Sequence, residues 1–159
     1  ESVMRHSQDF FALPTETKER YGGDIRGLNR GYERLRAQNF EKQTQGDLKE
    51  GIYYSLDDPY VMARKLGQGP NKYPVEVTDP LAFQNIMDDG HAALTALAMG
   101  IMQIIARTLH LDEDVFYDFC EHPVAVLRLL HYPPQESEAA DDERDTGAHT
   151  DFGDQKERL

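Results

Sequence analysis

The residues best suited to chemistry lie near the end of this 159-residue chain, in Gly147-Ala148-His149-Thr150-Asp151-Phe152-Gly153. In an extended backbone, side chains at i and i+2 share a face, so the His149 imidazole and the Asp151 carboxylate would project side by side. One nitrogen and one oxygen donor at that spacing form a chelating pair that suits a ferrous ion. With a second imidazole the set would occupy one octahedral face and leave three positions for a cosubstrate and oxygen. The plainer reading is a polar turn, since a tripeptide with one free position recurs by chance.

The element that must present this pair precedes it. Val124-Ala-Val-Leu-Arg-Leu-Leu-His-Tyr-Pro-Pro134 is an apolar, β-branched run closed by two prolines, which predicts a buried strand feeding a loop. Residues 135–145 form that loop, rich in carboxylates and poor in apolar residues, and read as a solvated segment. A calcium site would want a glycine turn and regularly spaced oxygens, a pattern this run lacks.

This order of strand, variable polar loop and "GAHTDFG" resembles the iron(II)- and 2-oxoglutarate-dependent dioxygenases of the isopenicillin N synthase-like group. The likeness continues upstream through Asp9-Phe-Phe-Ala-Leu-Pro14, Asn29-Arg-Gly-Tyr32 and Asp47-Leu-Lys-Glu50. The resemblance implies an α+β fold: a double-stranded β-helix, or jelly roll, with N-terminal helices and one long backing helix. It implies a single domain over 1–159, with 1–122 mainly helical and 123–159 the start of the jelly-roll core. It also implies Fe(II), 2-oxoglutarate as cosubstrate and O2, acting on a small-molecule substrate, with His149 and Asp151 as metal ligands.

Arg128 and Tyr132 share a strand face, and with Phe152 they are the expected cosubstrate- or substrate-binding residues. For Arg128 the rival reading is an ion pair with one of the many carboxylates. For Phe152 it is simple core packing. The family's third ligand, a later histidine, and the arginine-x-serine that follows it have no match here, and Gly153-Asp154 through Leu159 resembles a segment that lies just before that histidine. The jelly roll is therefore expected to be incomplete. The alternative is an inactive fragment that acts through protein contacts, with unpaired strand edges favouring self-association. His131, at opposite parity to Arg128, and His122 are expected to be structural. His6, His91 and His110 are expected on helix surfaces.

Composition narrows the partners. With 17 Lys and Arg against 29 Asp and Glu, the net charge is -12, which opposes binding to nucleic acid or an anionic membrane. The single cysteine, Cys120, cannot form an internal disulfide, and no apolar run is expected to reach membrane-span length. A cytoplasmic location is the expectation, although the sequence opens on Glu1 and not on methionine.

The scaffold follows from pattern. Val3, Phe10, Phe11 and Leu13 predict a helix closed by Pro14, followed by a short helix over Thr15–Arg20. The alternation of charged and apolar residues from Asp47 to Tyr54 predicts a strand, which the resemblance implies borders the active-site mouth; the rival reading is that its charges are solvated. Asp79-Pro80 is a strong helix start. Apolar residues then recur at helical spacing to about His110, predicting a helix roughly 45 Å long that is buried along much of its length. Asp112 is expected to cap a further short helix over Glu113–Phe119.

Overall fold

A computed structural model describes residues 1–22, 30–39, 45–56, 70–120, 125–134 and 145–147. Helices α1 (Ser2–Phe11) and α2 (Thr15–Glu19) are followed by strands β1 (Gly31–Glu33) and β2 (Glu50–Ser55). Then come the long helix α3 (Pro80–Thr108), the single turn α4 (Tyr117–Cys120) and strand β3 (Val126–His131). The strands form one antiparallel sheet in the order β1-β2-β3.

Register gives the sheet two distinct faces. Tyr32 pairs with Ile52, Ile52 with Leu129, Tyr54 with Leu127 and Glu50 with His131, so these side chains share one face. That face carries the core: Tyr32, Ile52, Tyr54, Leu127 and Leu129 pack with Phe10 of α1, Val77, and Phe83 and Met87 of α3. The ring of Tyr54 stacks on Tyr73 at 5.2 Å and meets Phe83 edge-on at 6.2 Å. The opposite face bears Glu33, Tyr53, Ser55, Val126, Arg128 and Leu130. Gly51 belongs to it, and a Cβ there would come 3.1 Å from Leu130 and 3.2 Å from Tyr53, so glycine lets those two side chains close over the central strand.

The helix ends follow local chemistry. Asp79 caps α3 by accepting from the Ala82 N–H at 3.0 Å, with Pro80 at the first helical position. At the other end His110 adopts φ 57°, its N–H reaching Arg107 O at 3.1 Å and that of Leu111 reaching Ala106 O at 3.0 Å. This pair of bonds closes the helix with a left-handed residue. α1 stops at Phe11, and Pro14 is the N-cap of α2, which has no side-chain cap. The stretch before α4 is turns, not the expected helix from Glu113.

Burial along α3 departs from expectation. Its first three turns bury Phe83, Met87 and His91 at i, i+4 and i+8, and His91 Nε2 donates to Ala125 O at 3.1 Å instead of facing solvent. Among the described residues, the second half buries only Ala106, leaving Leu94, Leu97, Ile101 and Ile104 at 52, 59, 47 and 60% exposure. An apolar stripe records a capacity for burial; the residue to cover it must come from elsewhere. α3 is also long and apolar enough, by length and composition, to cross a membrane, which corrects the expectation that no run reaches that length. Residues 92–106 carry no charge, but their five Ala, with Thr95, Gly100 and Gln103, dilute the apolar run so that it reads as an ordinary core helix.

Candidate functional site

Of the expected ligand segment, Gly147 is described, whereas His149, Asp151 and Phe152 lie outside the described residues. Gly147 is buried, and its N–H donates to Asp47 Oδ1 at 2.9 Å. Asp47 stands three residues before the central strand β2, so the start of the motif is tied to the middle of the sheet.

One described face of the sheet is turned away from the helices. Arg128 projects from it, as expected, and Tyr132 follows at the same parity just beyond β3; both are exposed. The Arg128 guanidinium lies 5.0 Å from the centre of the Tyr53 ring, donates to Gln38 Oε1 at 3.0 Å and sits 3.7 Å from Glu33 Oε2. The ion pair weighed as the rival reading is therefore present, at a half-exposed position where water screens it. Tyr53 also donates to Glu33, and burial first, then that hydrogen bond and the Glu33 charge, push its phenol well above the ordinary range. Ser55 Oγ donates to Ala125 O at 2.5 Å, fixing the start of β3 against β2. The result is a polar, aromatic-lined face with a fixed cation.

A second polar cluster sits on the core face. Lys18 Nζ donates to Glu50 Oε1 and Oε2 at 2.9 and 2.8 Å, His131 Nδ1 donates to Oε1 at 2.8 Å, and Tyr32 donates to Oε2. Phe11 stacks on the His131 ring at 5.2 Å. His131 is thus structural, as its parity indicated. The alternative of solvated charges in the Asp47–Glu50 segment fails, because Asp47, Lys49 and Glu50 are 1, 6 and 6% exposed. Sequence reading missed Asp47 and Glu50 as organising residues. The available signal was four residues dense in charge running directly into Ile52-Tyr53-Tyr54.

Among the described residues, no group of three His, Cys, Asp or Glu side chains is placed to hold a metal. His149 and Asp151, the ligands the resemblance implies, lie outside the described residues; their nitrogen and oxygen donors match a ferrous ion in kind.

Comparison with known proteins decides the family. A family model described as the N-terminal part of the non-haem dioxygenases in morphine synthesis matches residues 1–76. The 2-oxoglutarate-Fe(II) type oxidoreductase hxnY of Emericella nidulans is 39% identical over 158 residues, covering 95% of this chain and 45% of its own. The chain belongs to the Fe(II)/2-oxoglutarate-dependent dioxygenase family. Among solved structures, a full-length Neurospora crassa protein in complex with alpha-KG and thymine matches at TM-score 0.78 and 28% identity, over 95% of this chain and 48% of that one. A 2OG-Fe(II) oxygenase family protein from Caulobacter crescentus matches at TM-score 0.69 and 31% identity, over 84% of this chain and 42% of its own. The chain spans about half the length of the relatives it matches. Such dioxygenases have a jelly-roll fold, of which the described sheet and helices form part.

Proposed function

We propose that this chain contributes the helical scaffold and the first part of the jelly-roll core of a dioxygenase. The activity is Fe(II)- and 2-oxoglutarate-dependent oxidation of a small organic molecule. His149 and Asp151 would hold the ferrous ion, and Arg128, Tyr132 and Phe152 would contact cosubstrate or substrate. When bound, the ion supplies the redox chemistry by which R–H, 2-oxoglutarate and O2 give R–OH, succinate and CO2. The observation that carries the reading is the two-faced sheet. One face is filled by helices, and the other presents Arg128 on the strand that leads to His149-x-Asp151.

The chain's own residues have separable tasks in this scheme. Arg128, its guanidinium carbon 5.0 Å from the centre of the Tyr53 ring, offers a cation to a carboxylate ligand, and its loose contact with Glu33 is one that a ligand carboxylate would replace. Tyr132 adds a hydroxyl at the same parity. The helix-packed face keeps β2 and β3 rigid, so groups on the other face are presented without rearrangement.

Anaerobic titration calorimetry of 2-oxoglutarate with and without Fe(II) tests the proposal. Uptake is expected only with Fe(II), abolished in His149→Ala and Asp151→Ala and weakened about tenfold or more in Arg128→Ala, the scale of a lost charge-assisted pair. Uptake that ignores Fe(II), or no uptake at all, would refute it.

A further inference from the structure

Four side chains on the sheet face turned away from the helices close a ring. Arg128 Nη2 donates to Gln38 Oε1 at 3.0 Å, Gln38 Nε2 donates to Glu33 Oε1 at 3.1 Å, and the Tyr53 hydroxyl donates to Glu33 Oε2 at 2.5 Å. The Tyr53 ring, its centre 5.0 Å from the guanidinium carbon, completes the circuit. Every strand contributes, with Glu33 from β1, Tyr53 from β2 and Arg128 from β3, and Tyr53 and Arg128 are register partners. Gln38 comes from outside the sheet, and a turn brings it back. Ala37 N donates to Arg34 O at 3.1 Å, and Arg36 takes φ 63°, a left-handed value that a side chain disfavours. Two bonds to the segment entering β2 hold that turn, from Arg36 N to Lys49 O at 3.3 Å and from Asp47 N to Gln38 O at 2.8 Å.

The hydrogen bond to Gln38 and the 3.7 Å ion pair with Glu33 both fall on Nη2, so the other N–H groups of the guanidinium fork are left for a ligand, on a side chain 37% exposed. Glu33 keeps Gln38 and Tyr53 as donors when a ligand takes over that ion pair, so no carboxylate is stranded. We infer that Gln38 is a positioning residue for Arg128 and Glu33 a restraint on it. Gln38 holds the guanidinium beside Tyr53 with its open donors preset for a ligand carboxylate, and the Glu33 charge weakens the grip on that carboxylate. The role rests on the reading that Arg128 contacts cosubstrate or substrate. A loose arginine loses rotamer freedom when it binds, a cost that presetting removes. The Glu33 charge works with the opposite sign, by repelling a like-charged ligand. Removal of the two neighbours therefore moves affinity in opposite directions.

Two variants of the full chain separate these effects. Gln38→Met keeps the length of the side chain and removes both of its hydrogen bonds, with Gln38→Ala in its place should that variant not fold. Glu33→Gln removes the charge and keeps the ring, since one amide can accept from Gln38 and donate to Tyr53 Oη. Titration with acetate at fixed ionic strength, followed by nitrogen NMR of the guanidinium groups, reads the site without Fe(II); the Arg128 signal is assigned by its loss in Arg128→Ala. The two Nη signals of Arg128 should be separate in the parent, where rotation is hindered, and merge in Gln38→Met. Acetate affinity should fall about threefold in Gln38→Met and rise about threefold in Glu33→Gln, the scale of a half-exposed contact. Equal affinity in the parent and Gln38→Met, or a fall in Glu33→Gln, overturns the inference alone. An Arg128 signal that acetate does not move in the parent overturns the reading of Arg128 as a ligand contact and this role with it.

Discussion

Glu50 shows how single residues govern this fold. Burial alone raises its carboxyl, but hydrogen bonds from Lys18, Tyr32 and His131 outweigh that and leave it below the ordinary 4.5. The folded state therefore binds this proton less readily than the unfolded chain. Its contribution to stability is complete above about pH 4.5 and is lost as pH falls through the lower folded value. Glu50→Gln should cost about 3 kcal/mol near neutrality, because Lys18 then stays buried without its counter-charge. Urea unfolding across the acid range should show the gap between parent and variant narrowing below that point; a constant gap would refute the assignment. None of this was legible from pattern. Whether Glu50, Asp47 and Lys49 are buried depends on groups 32, 81 and 100 residues away, which no periodicity reports. Gly147 was read only as the start of the His149-x-Asp151 motif, and its bond to Asp47 was not foreseen.

At the scale of elements, α3 was the most legible, because Asp79-Pro80 specifies its start by chemistry acting within one turn. Its environment was the least legible, since the same stripe of Leu and Ile is compatible with a covered or an open face. Two glycines separate those regimes. A Cβ on Gly90 would meet Val3 Cγ2 at 2.7 Å, where a stiff β-branched residue brings α1 against α3, whereas nothing lies within 4 Å of a Cβ on Gly100. Gly100→Ala should therefore stabilise the chain by about 1 kcal/mol through helix propensity. Gly90→Ala should lose more to the clash than it gains, with a net cost of about 1 kcal/mol. Thermal unfolding of both variants checks the pair, and stabilisation by Gly90→Ala would show that α1 does not pack as described. The strands were legible in position because β3 is an apolar run closed by prolines and β2 continues an alternation of charged and apolar residues. Which face would stay polar was visible only as the shared parity of Arg128 and Tyr132.

Over the whole molecule, a net charge of -12 must be held on a compact surface. Like charges repel across that surface, and salt screens them while leaving the buried Lys18–Glu50 pair almost untouched. Raising NaCl from about 10 mM to about 150 mM should lift the thermal midpoint by a few degrees. A fall would mean that exposed ion pairs such as Arg107 with Glu113 outweigh the repulsion. The composition made this balance legible, as the ordered motifs made the family legible, because neither depends on knowing which residues meet. Glu50 has one further effect at this scale. If β2 slid by one position along β3, Glu50 would turn to the other face, away from Lys18, Tyr32 and His131, and Ile52 and Tyr54 would turn to solvent with it. A mis-threaded sheet would thus strand several groups at once, so the buried carboxylate acts as a proofreading device for assembly, favouring the one alignment in which Arg128 lies on the face opposite the core.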